Sequence, residues 1–556
     1  MTTKALIYQN GSILTVDQAN TTVEAVGTIG ERIVATGQLA DVQKLMPADA
    51  RIIDLQGRTM IPSFIDPHGH FPDSGFVACL RADLSSPPKG SCKNLHDIFD
   101  RLRKKVEKTP KGEWVMGAAL DETSLAEFRM PTRNELDAIS SEHPIWVIHS
   151  SGHCGVANSL ALARQGISEE TLDPLGGRYL RDVDTGLLNG YIEGLSAMGE
   201  MSDTHFLINS ENFKIGFDAS REEYLSHGVT LAQNAWAANE LLELFHEVSL
   251  KGDPGIDLIL LPIAELEPEF SATGLGKTWP DNRHIILGPR KLLTDGSFLM
   301  RTALLSEPYY TGAPGKEPDF GLAYMEREIL FAEVQKLHDM GFQIHTHCNG
   351  DASADMYLDA IENAISKNPR SDHRHTLIHG QVMRIDQMDR CKNLGVTISF
   401  FSAHIFYWGD KHYELFLGPE RAQNISPAKW AQEAGVRFTI HNDASVTPTR
   451  PLHLMHCAVN RKTQSGRVLG EHQRISAESA LRAHTIDAAW QVFQENERGS
   501  IEVGKLAEFA ILSENPIENP DQLGKIKVME TIRYGKSVWK NWNEISDQHN
   551  GPIDHD

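Results

Sequence analysis

Histidine pairs separated by one residue are the most suggestive chemical feature of this sequence. The chain contains 25 histidines, and the His-x-His pattern occurs at His68/His70, His345/His347 and His373/His375. When such a pair ends a strand, both imidazoles point to the same face and supply half of a zinc site. About one such pair is expected by chance at this histidine content. No single pair therefore establishes a metal site.

The placement of other ligand-type residues strengthens the interpretation. His68, His70, His347, His379 and Asp443 each end or follow an apolar run of the kind that forms a strand. Ligand-type residues at the carboxyl ends of several strands are typical of the active site of a (β/α)8 barrel. We therefore predict a divalent metal site of one or two ions, with zinc as the expected metal. Core or surface histidines are the alternative.

A lysine joins this set of residues. Lys291 opens the apolar segment Lys291-Leu292-Leu293 and is predicted to lie within a strand. Burial disfavours the charged amine, so the pKa of a lysine in that position is lowered. A neutral amine can take up carbon dioxide and become a carbamate, an anionic oxygen ligand able to bridge two metals. The alternative is a solvated, unmodified lysine at a strand edge and a mononuclear site.

Composition limits the classes of partner. The 556 residues include 40% hydrophobic and 23% charged residues, and the net charge is −22. A strongly negative chain is repelled by phosphate backbones and anionic bilayers, so we expect neither a nucleic-acid nor a membrane partner. The N-terminus does not resemble a secretory signal, and the six cysteines contain no C-x-x-C pair. We expect a cytoplasmic protein that acts on a small molecule, and a homo-oligomer is compatible with the sequence.

The predicted pattern of secondary structure changes twice along the chain. Short strands and turns fill the first part, including a hairpin predicted at Asn10-Gly11 because both residues tolerate positive φ. Apolar runs that alternate with helix-period stretches follow, which is the pattern of a parallel α/β sheet. Short strands then return before a polar tail. The predicted units are residues 1–58, residues 59–490 with an insertion at about 76–215, residues 491–545 and residues 546–556.

Several segments together resemble one enzyme family. The string Met60-Ile61-Pro62-Ser63-Phe64-Ile65-Asp66-Pro67-His68-Gly69-His70 resembles the opening motif of the amidohydrolase superfamily. Further segments are similar to its YtcJ-like branch, which includes N-substituted formamide deformylase: Lys291 to Ala303, His347-Cys348-Asn349-Gly350-Asp351, His379 and Asp443. The stretch Ile501 to Leu512 is similar to the return into the terminal β-sandwich of that superfamily.

The resemblance implies a fold and a role for each matching residue. The fold is a metal-dependent (β/α)8 TIM barrel of the α/β class, with a small β-sandwich formed by both termini. His68 and His70 bind one metal and His347 and His379 the other. Carboxylated Lys291 bridges the two ions, and Asp443 is both a ligand and the proton shuttle. Ser63 departs from the usual glycine, and Cys348-Asn349 replaces the usual small apolar pair.

The spacing of these residues independently indicates an elaborated barrel. His68 and Asp443 are 375 positions apart, whereas a bare barrel takes about 250 residues. We expect the insertion at about 76–215 to cover the barrel mouth, with His153 as a substrate contact or, equally, a structural loop histidine. Phe401 and Trp408 belong to an aromatic cluster that could line a substrate pocket, although aromatics more often serve simple packing.

The predicted activity is hydrolysis of a C–N bond, most simply the amide of a small, partly apolar substrate, by metal-activated water. The same site could instead deaminate a ring or open a lactone or carbamate. A non-catalytic barrel protein is a further alternative, but such a relative would be expected to lack ligands, and here all six ligand positions are filled.

Overall fold

The computed structural model describes residues 4–174, 177–201, 209–264, 278–279, 282–312 and 317–541. The predicted tail, residues 546–556, lies outside these ranges. The strands are β1 (Ala5–Leu14), β2 (Thr22–Ile29), β3 (Arg32–Gly37), β4 (Arg51–Asp54), β5 (Thr59–Pro62), β6 (Phe64–Ile65), β7 (Ala82–Asp83), β8 (Val115–Leu120), β9 (Ile145–His149), β10 (Cys154–Ala157), β11 (Arg178–Arg181), β12 (Leu188–Glu193), β13 (Val229–Ala237), β14 (Asp257–Pro262), β15 (Thr278–Trp279), β16 (Asn282–Leu287), β17 (Arg290–Leu293), β18 (Ile344–Cys348), β19 (Thr376–His379), β20 (Thr397–Phe400), β21 (Phe438–Ile440), β22 (Phe509–Leu512), β23 (Val528–Arg533) and β24 (Lys536–Lys540).

The helices are α1 (Leu39–Leu45), α2 (Asp73–Cys79), α3 (Leu95–Val106), α4 (Arg133–Asp137), α5 (Ser159–Arg164), α6 (Leu195–Glu200), α7 (Ser210–Ser226), α8 (Asn239–Ser249), α9 (Arg327–Asp339), α10 (Asp351–Lys367), α11 (Ile385–Leu394), α12 (Ala403–Lys411), α13 (Gly418–Arg421), α14 (Ala428–Ala434), α15 (Pro451–Asn460), α16 (Ala477–Ala483) and α17 (Ile486–Gln491). Within the described ranges, no helix is long and apolar enough to cross a bilayer.

Both ends of the chain build one eight-stranded sheet. Its order is β24-β23-β22-β5-β1-β2-β3, and β4 pairs with β1. The C-terminal strand β22 runs antiparallel to β5, with Phe509 opposite Pro62. The ring of Phe509 also meets Tyr8 edge-on at 5.4 Å in the buried core of this sheet. The two termini are therefore joined as the sequence indicated, and the sandwich packing stays a prediction.

The hairpin predicted at Asn10-Gly11 is wrong. β1 continues through both residues and pairs with β2 on either side of them. The register shifts between Gln9 and Ile13, so the two residues form a bulge. A Cβ on Gly11 would lie 2.3 Å from the carbonyl oxygen of Arg58. Glycine is therefore required by a close backbone approach, which the sequence alone could not distinguish from a turn.

Two further sheets of five strands each run through the middle of the chain, in the orders β15-β16-β14-β13-β6 and β17-β18-β19-β20-β21. Every neighbouring pair is parallel except β15 and β16. Helices α7 to α11 and α14 separate consecutive parallel strands. Parallel strands need such crossovers because each connection must return to the same edge. The fold is therefore of the α/β class, as predicted.

Backbone contacts bring these two parallel sheets together at both margins. An isolated parallel bridge joins Ile263, after β14, to Lys291 on β17. At the other margin, the His70 N–H, after β6, donates to the Ala444 carbonyl, after β21, at 2.8 Å. The first and last strands of the parallel series thus end side by side. Ligand candidates that are distant in sequence consequently become neighbours.

Residues 82–193 contribute a separate six-stranded sheet, in the order β11-β12-β10-β9-β8-β7. Strand β9 lies in this sheet between β10 and β8, outside both parallel series. Helix α3 packs on it through buried Leu95, Ile98 and Leu102. The Asn94 side chain accepts from the Asp97 N–H and caps the start of α3, as a helix N-terminus requires. This unit lies within the segment predicted to be inserted.

Candidate metal centre

All six predicted metal ligands line one cavity of about 370 Å³. Five of them lie at, near or just after the carboxyl ends of parallel strands: His68 and His70 after β6, His347 on β18, His379 on β19 and Asp443 after β21. Lys291 lies near the start of β17. Carboxyl ends of parallel strands share one edge, which explains how residues spread over most of the chain meet.

Three of the six side chains converge most closely. One ligand atom each from His68, His70 and Asp443 lie within 4.8 Å of one another. The Asp443 Oδ1 atom lies 3.2 Å from His70 Nε2 and 3.5 Å from His68 Nε2. Buried polar groups normally have hydrogen-bond partners, yet Asp443 Oδ1 and His68 Nδ1 have none among the described residues. Two imidazoles and a carboxylate arranged in this way fit a divalent metal.

The protonation states of these groups suit metal binding. Burial and the neighbouring charge of Lys291 hold the pKa of His68 well below its ordinary value. Burial acts to raise the pKa of Asp443, but the adjacent imidazole of His70, with His441 and Lys291, outweighs it and lowers that pKa. At neutral pH the imidazole of His68 is therefore neutral and the carboxyl of Asp443 is ionised, which are the forms that bind metals.

Lys291 lies against this group of three ligands. Its Nζ atom is 3.4 Å from His68 Nε2, and the residue is 3% exposed. Burial lowers the pKa of the Lys291 amine to about 8, although the carboxylate of Asp443 acts in the opposite direction. A substantial fraction of the amine is neutral just above that pH. The amine therefore meets the chemical requirement for carbamate formation.

His347 and His379 lie in the same cavity but outside the close group. Their ring centroids are 4.5 Å apart. The Nδ1 atom of His347 lies 3.1 Å from Asp295 Oδ1, and the Nδ1 atom of His379 lies 3.1 Å from His441 Nε2. A histidine whose Nδ1 is held in this way presents Nε2 to a metal. Partners behind the two rings thus fix their orientation, and the Nε2 atom of His347 also lies 3.3 Å from Asn349 Nδ2.

Backbone conformation helps to aim two of these side chains. His379 has φ of 77° and Asp443 has φ of 52°. Non-glycine residues rarely adopt this left-handed region, which costs about 1–3 kcal/mol and is concentrated at functional sites. Both residues stand at strand ends, where the reversed backbone changes the direction of the side chain. The surrounding packing stabilises a conformation that the isolated sequence would avoid.

The three His-x-His pairs occupy different positions in the structure. His68 and His70 both line the cavity. His347 does so as well. His345 is fully buried, lies opposite Lys291 in the parallel register, and has no hydrogen-bond partner for either ring nitrogen in the part of the chain that the structure describes. His373 and His375 lie elsewhere: His373 Nε2 is 2.8 Å from the Leu394 carbonyl and His375 Nε2 is 2.9 Å from a histidine of α9. The third pair is structural.

Sequence reasoning gave no role to two residues that orient the ligands. Asp295 is fully buried and accepts from His347, from the N–H groups of Leu304, Asn349 and Gly350, and from Ser353. The sequence feature that could have pointed to Asp295 was its position just after β17, the strand that carries Lys291.

The second of these residues is His441, which lies between His379 and Ser399. Its Nδ1 atom is 2.9 Å from Ser399 Oγ, and its ring stacks on Phe401. Its place two residues before Asp443 could have marked it, since alternate residues of a strand point to the same face. His379 is consequently held from behind by a buried polar chain.

The three residues predicted to contact substrate are placed differently. His153 lines the cavity, with its ring 5.6 Å from that of His347. Phe401 lies behind the ligands, 5.2 Å from the His441 ring. The Trp408 indole N–H donates to Asp121 at 3.0 Å. Among the described residues that line the cavity, neither Phe401 nor Trp408 is present.

A second cluster of ligand-type residues does not fit a metal. Asp121, Glu122 and His149 also place one ligand atom each within 4.8 Å of one another. The carboxylate of Asp121, however, already accepts from Trp408 at 3.0 Å and lies 3.3 Å from the Lys411 amine. A cation in that position opposes a second positive charge. This cluster instead connects the inserted sheet to α12.

Comparison with known proteins identifies the family. The family model described as "Amidohydrolase family" matches residues 51–539, a range that contains all six candidate ligands. This chain belongs to that family. The predicted membership of the amidohydrolase superfamily is confirmed, as is the prediction of a hydrolase that acts on carbon–nitrogen bonds.

Individual relatives are more distant. The chain is 27% identical to N-substituted formamide deformylase of Arthrobacter pascens, over 95% of this chain and 96% of the relative. It is 25% identical to the putative amidohydrolase YtcJ of Bacillus subtilis, over 96% and 99%. A crystal structure of an uncharacterised metal-dependent hydrolase from Pyrococcus horikoshii superimposes with a TM-score of 0.73 at 24% identity, covering 92% of this chain and 98% of that one. This structural likeness establishes a shared fold.

Proposed function

We propose that this chain is a metal-dependent amidase that hydrolyses the C–N bond of a small, partly apolar amide. The observation that carries the proposal is the convergence of His68, His70 and Asp443 beside the buried amine of Lys291, with Asp443 Oδ1 and His68 Nδ1 unpartnered among the described residues. The match to the amidohydrolase family supports hydrolysis. The relative from Arthrobacter pascens, a formamide deformylase, supports an amide as the substrate.

We further propose that β6, β13, β14, β16/β17 and β18 to β21 close into an eight-stranded barrel. The parallel register throughout this series and the backbone contacts at both margins support closure. Residues 59–490 contain this unit, with residues 76–215 as the insertion and with β5 paired into the terminal sheet. Residues 1–58 and 491–545 form the terminal sandwich.

The donor set indicates how a metal would be held. His68, His70 and Asp443 would bind one divalent ion, and His347 and His379 would bind a second. Lys291 would join the two sites as a carbamate. Zinc is the proposed metal because two or three imidazoles and a carboxylate form a typical zinc set. When bound, a divalent ion lowers the pKa of water and polarises a carbonyl oxygen.

The residues of the chain supply the remaining chemistry. Asp443 is ionised at neutral pH, so its carboxylate can accept a proton from the attacking water and pass it to the departing nitrogen. His70 Nε2 lies 3.2 Å from the same carboxylate and is the nearest imidazole to it. Asp295 and His441 fix the rings of His347 and His379. Residues of the inserted sheet, including His153, form the facing wall and limit access of solvent.

The test is a hydrolysis panel of amides, ureas, lactones and aminated heterocycles, run with wild type, Asp443→Asn and the matched control Asp389→Asn. Asp389 is exposed on α11, away from the cavity. We expect amides to be cleaved, the Asp443→Asn rate to fall at least about 100-fold with most of the metal retained, and the control to match wild type. Wild-type activity in Asp443→Asn would disprove its role. Turnover confined to lactones or heterocycles would disprove the amide assignment.

A further inference from the structure

We propose that a second cavity, next to the metal centre, binds an uncharged, ring-sized apolar substituent of the substrate. This inference rests on the proposed amidase function and specifies its substrate class: amides that carry an aryl or comparable ring. The cavity has a volume of about 310 Å³ and lies between the six-stranded sheet and residues 300–302 and 322–324. Its lining includes His153, Met300, Leu322 and Tyr324.

The two cavities meet at His153, which lines both of them. The His153 ring lies 5.6 Å from the ring of His347 on one side and 5.7 Å from the ring of Tyr324 on the other. Its Nδ1 atom is 3.2 Å from Tyr324 Oη. One imidazole therefore separates the candidate ligands from the second cavity. A substrate with its amide at the ligands needs only a short spacer to place a ring beyond His153.

The walls of the second cavity are suited to an apolar ring. Met300, Leu322 and Tyr324 supply a thioether, an aliphatic side chain and an aromatic face. The Met300 sulfur lies 3.2 Å from Cys154 Sγ and 4.0 Å from Tyr191 Oη, so the inserted sheet holds it in place. Methionine adapts its shape and makes favourable sulfur contacts with aromatic rings.

The size of the second cavity and the charges at its margin restrict the class of ligand further. An apolar cavity of about 150 Å³ is enough to bind benzene, so a cavity of about 310 Å³ accommodates a ring with its spacer. The charged residues at its margin, Arg178 and Glu193, form an ion pair with each other. An ionised substituent would have to compete with that pair or lose its hydration against apolar walls. Neutral substituents are therefore favoured.

The substituent could belong to either side of the amide bond, and two substrate pairs distinguish these sources. N-phenethylformamide and N-ethylformamide differ by a ring on the amine side. N-ethyl-3-phenylpropanamide and N-ethylpropanamide differ by a ring on the acyl side. For each pair, the ratio of kcat/KM with the ring to kcat/KM without it measures the contribution of the ring. We expect wild type to favour the ring in one of the two pairs.

The decisive variant is Leu322→Trp, which fills the second cavity from its edge. Leu322 is 46% exposed, so the substitution leaves the core intact. The matched control is Leu187→Trp, because Leu187 is 47% exposed and lies outside both cavities. We expect Leu322→Trp to lower the ring preference at least about tenfold, and the control to keep the wild-type preference. An unchanged preference in Leu322→Trp, or an equal loss in both variants, would overturn the proposal.

A binding measurement separates failure of this proposal from failure of the amidase assignment. If no amide is cleaved, the amidase assignment fails, and binding of 2-phenylethanol to the metal-loaded protein, followed by saturation-transfer NMR, reports on the second cavity alone. We expect binding by wild type and by Leu187→Trp, and a Kd at least about tenfold weaker for Leu322→Trp. Equal affinities for the three proteins, or no binding by wild type, would overturn the second cavity as a ring site.

Discussion

Asp295→Asn is expected to loosen the metal centre without removing a ligand. The carboxylate of Asp295 is fully buried and accepts five hydrogen bonds, shared between its two oxygens. An asparagine has only one acceptor oxygen. One oxygen of Asp295 accepts from Leu304, Gly350 and Ser353. If the asparagine oxygen keeps these three contacts, its NH2 group faces the His347 ring and the Asn349 N–H, and those two donors lose their acceptor.

The magnitude follows from that count. Each buried donor left without a partner costs about 1–3 kcal/mol, so the free energy of unfolding should fall by about 2–6 kcal/mol. His347 also loses the group that fixes its tautomer, and such a loss typically weakens metal affinity about 10- to 100-fold. Both effects should appear together, because the same carboxylate holds the backbone after β18 and the His347 ring.

The assay combines urea denaturation of the metal-free protein with competitive metal titration of wild type and variant. Asp319→Asn is the control, since Asp319 is exposed in the same part of the chain and accepts from the Gly321 N–H, a bond that asparagine can also make. If Asp295→Asn matched the control in both measurements, the role given to Asp295 would be refuted. A loss of stability alone, with normal metal affinity, would refute the orientation of His347 by this carboxylate.

Two other predictions concern charges outside the metal centre. Asp257 is buried between Arg498 and Arg533, whereas Asp253 pairs with Arg533 at the surface. In chemical denaturation, the free energy of unfolding should therefore fall by about 3–5 kcal/mol for Asp257→Asn and by about 0–1 kcal/mol for Asp253→Asn. Equal losses in the two variants would contradict this prediction. Burial lowers the pKa of Lys89 from 10.5 to about 8. Between those pH values the unfolded chain binds more protons than the folded chain, so wild type should gain stability relative to Lys89→Met as the pH rises from 8 to 10.5. A difference between their urea midpoints that does not change with pH would contradict the lowered pKa.

Much of the site could be predicted because its chemistry is local in sequence. His68 and His70 are adjacent on one strand end, and Asp443 ends an apolar run, so residue type and strand position were sufficient. Asp295 could be noticed but not assigned, since its five donors come from separate segments that meet only in the folded chain. Phe401 was predicted to contact substrate, but the structure places it behind His441.

The fold shows the same division. Parallel strands and the crossover helices were readable because apolar periodicity is a local property, as in α10 (Asp351–Lys367), where buried residues recur at helical spacing. The hairpin at Asn10-Gly11 failed because positive φ serves equally well in a bulge. Which of the two forms depends on the partner strand and on the Arg58 carbonyl that approaches Gly11. Such tertiary constraints are absent from a local pattern.

The most direct test of the central claim is the metal content of the purified protein after equilibration with divalent ions and removal of unbound metal. The convergence of His68, His70 and Asp443, with Lys291, His347 and His379 in the same cavity, predicts at least one tightly held divalent ion per chain, and two if Lys291 is carboxylated. A metal content at background level in a folded protein would contradict the account.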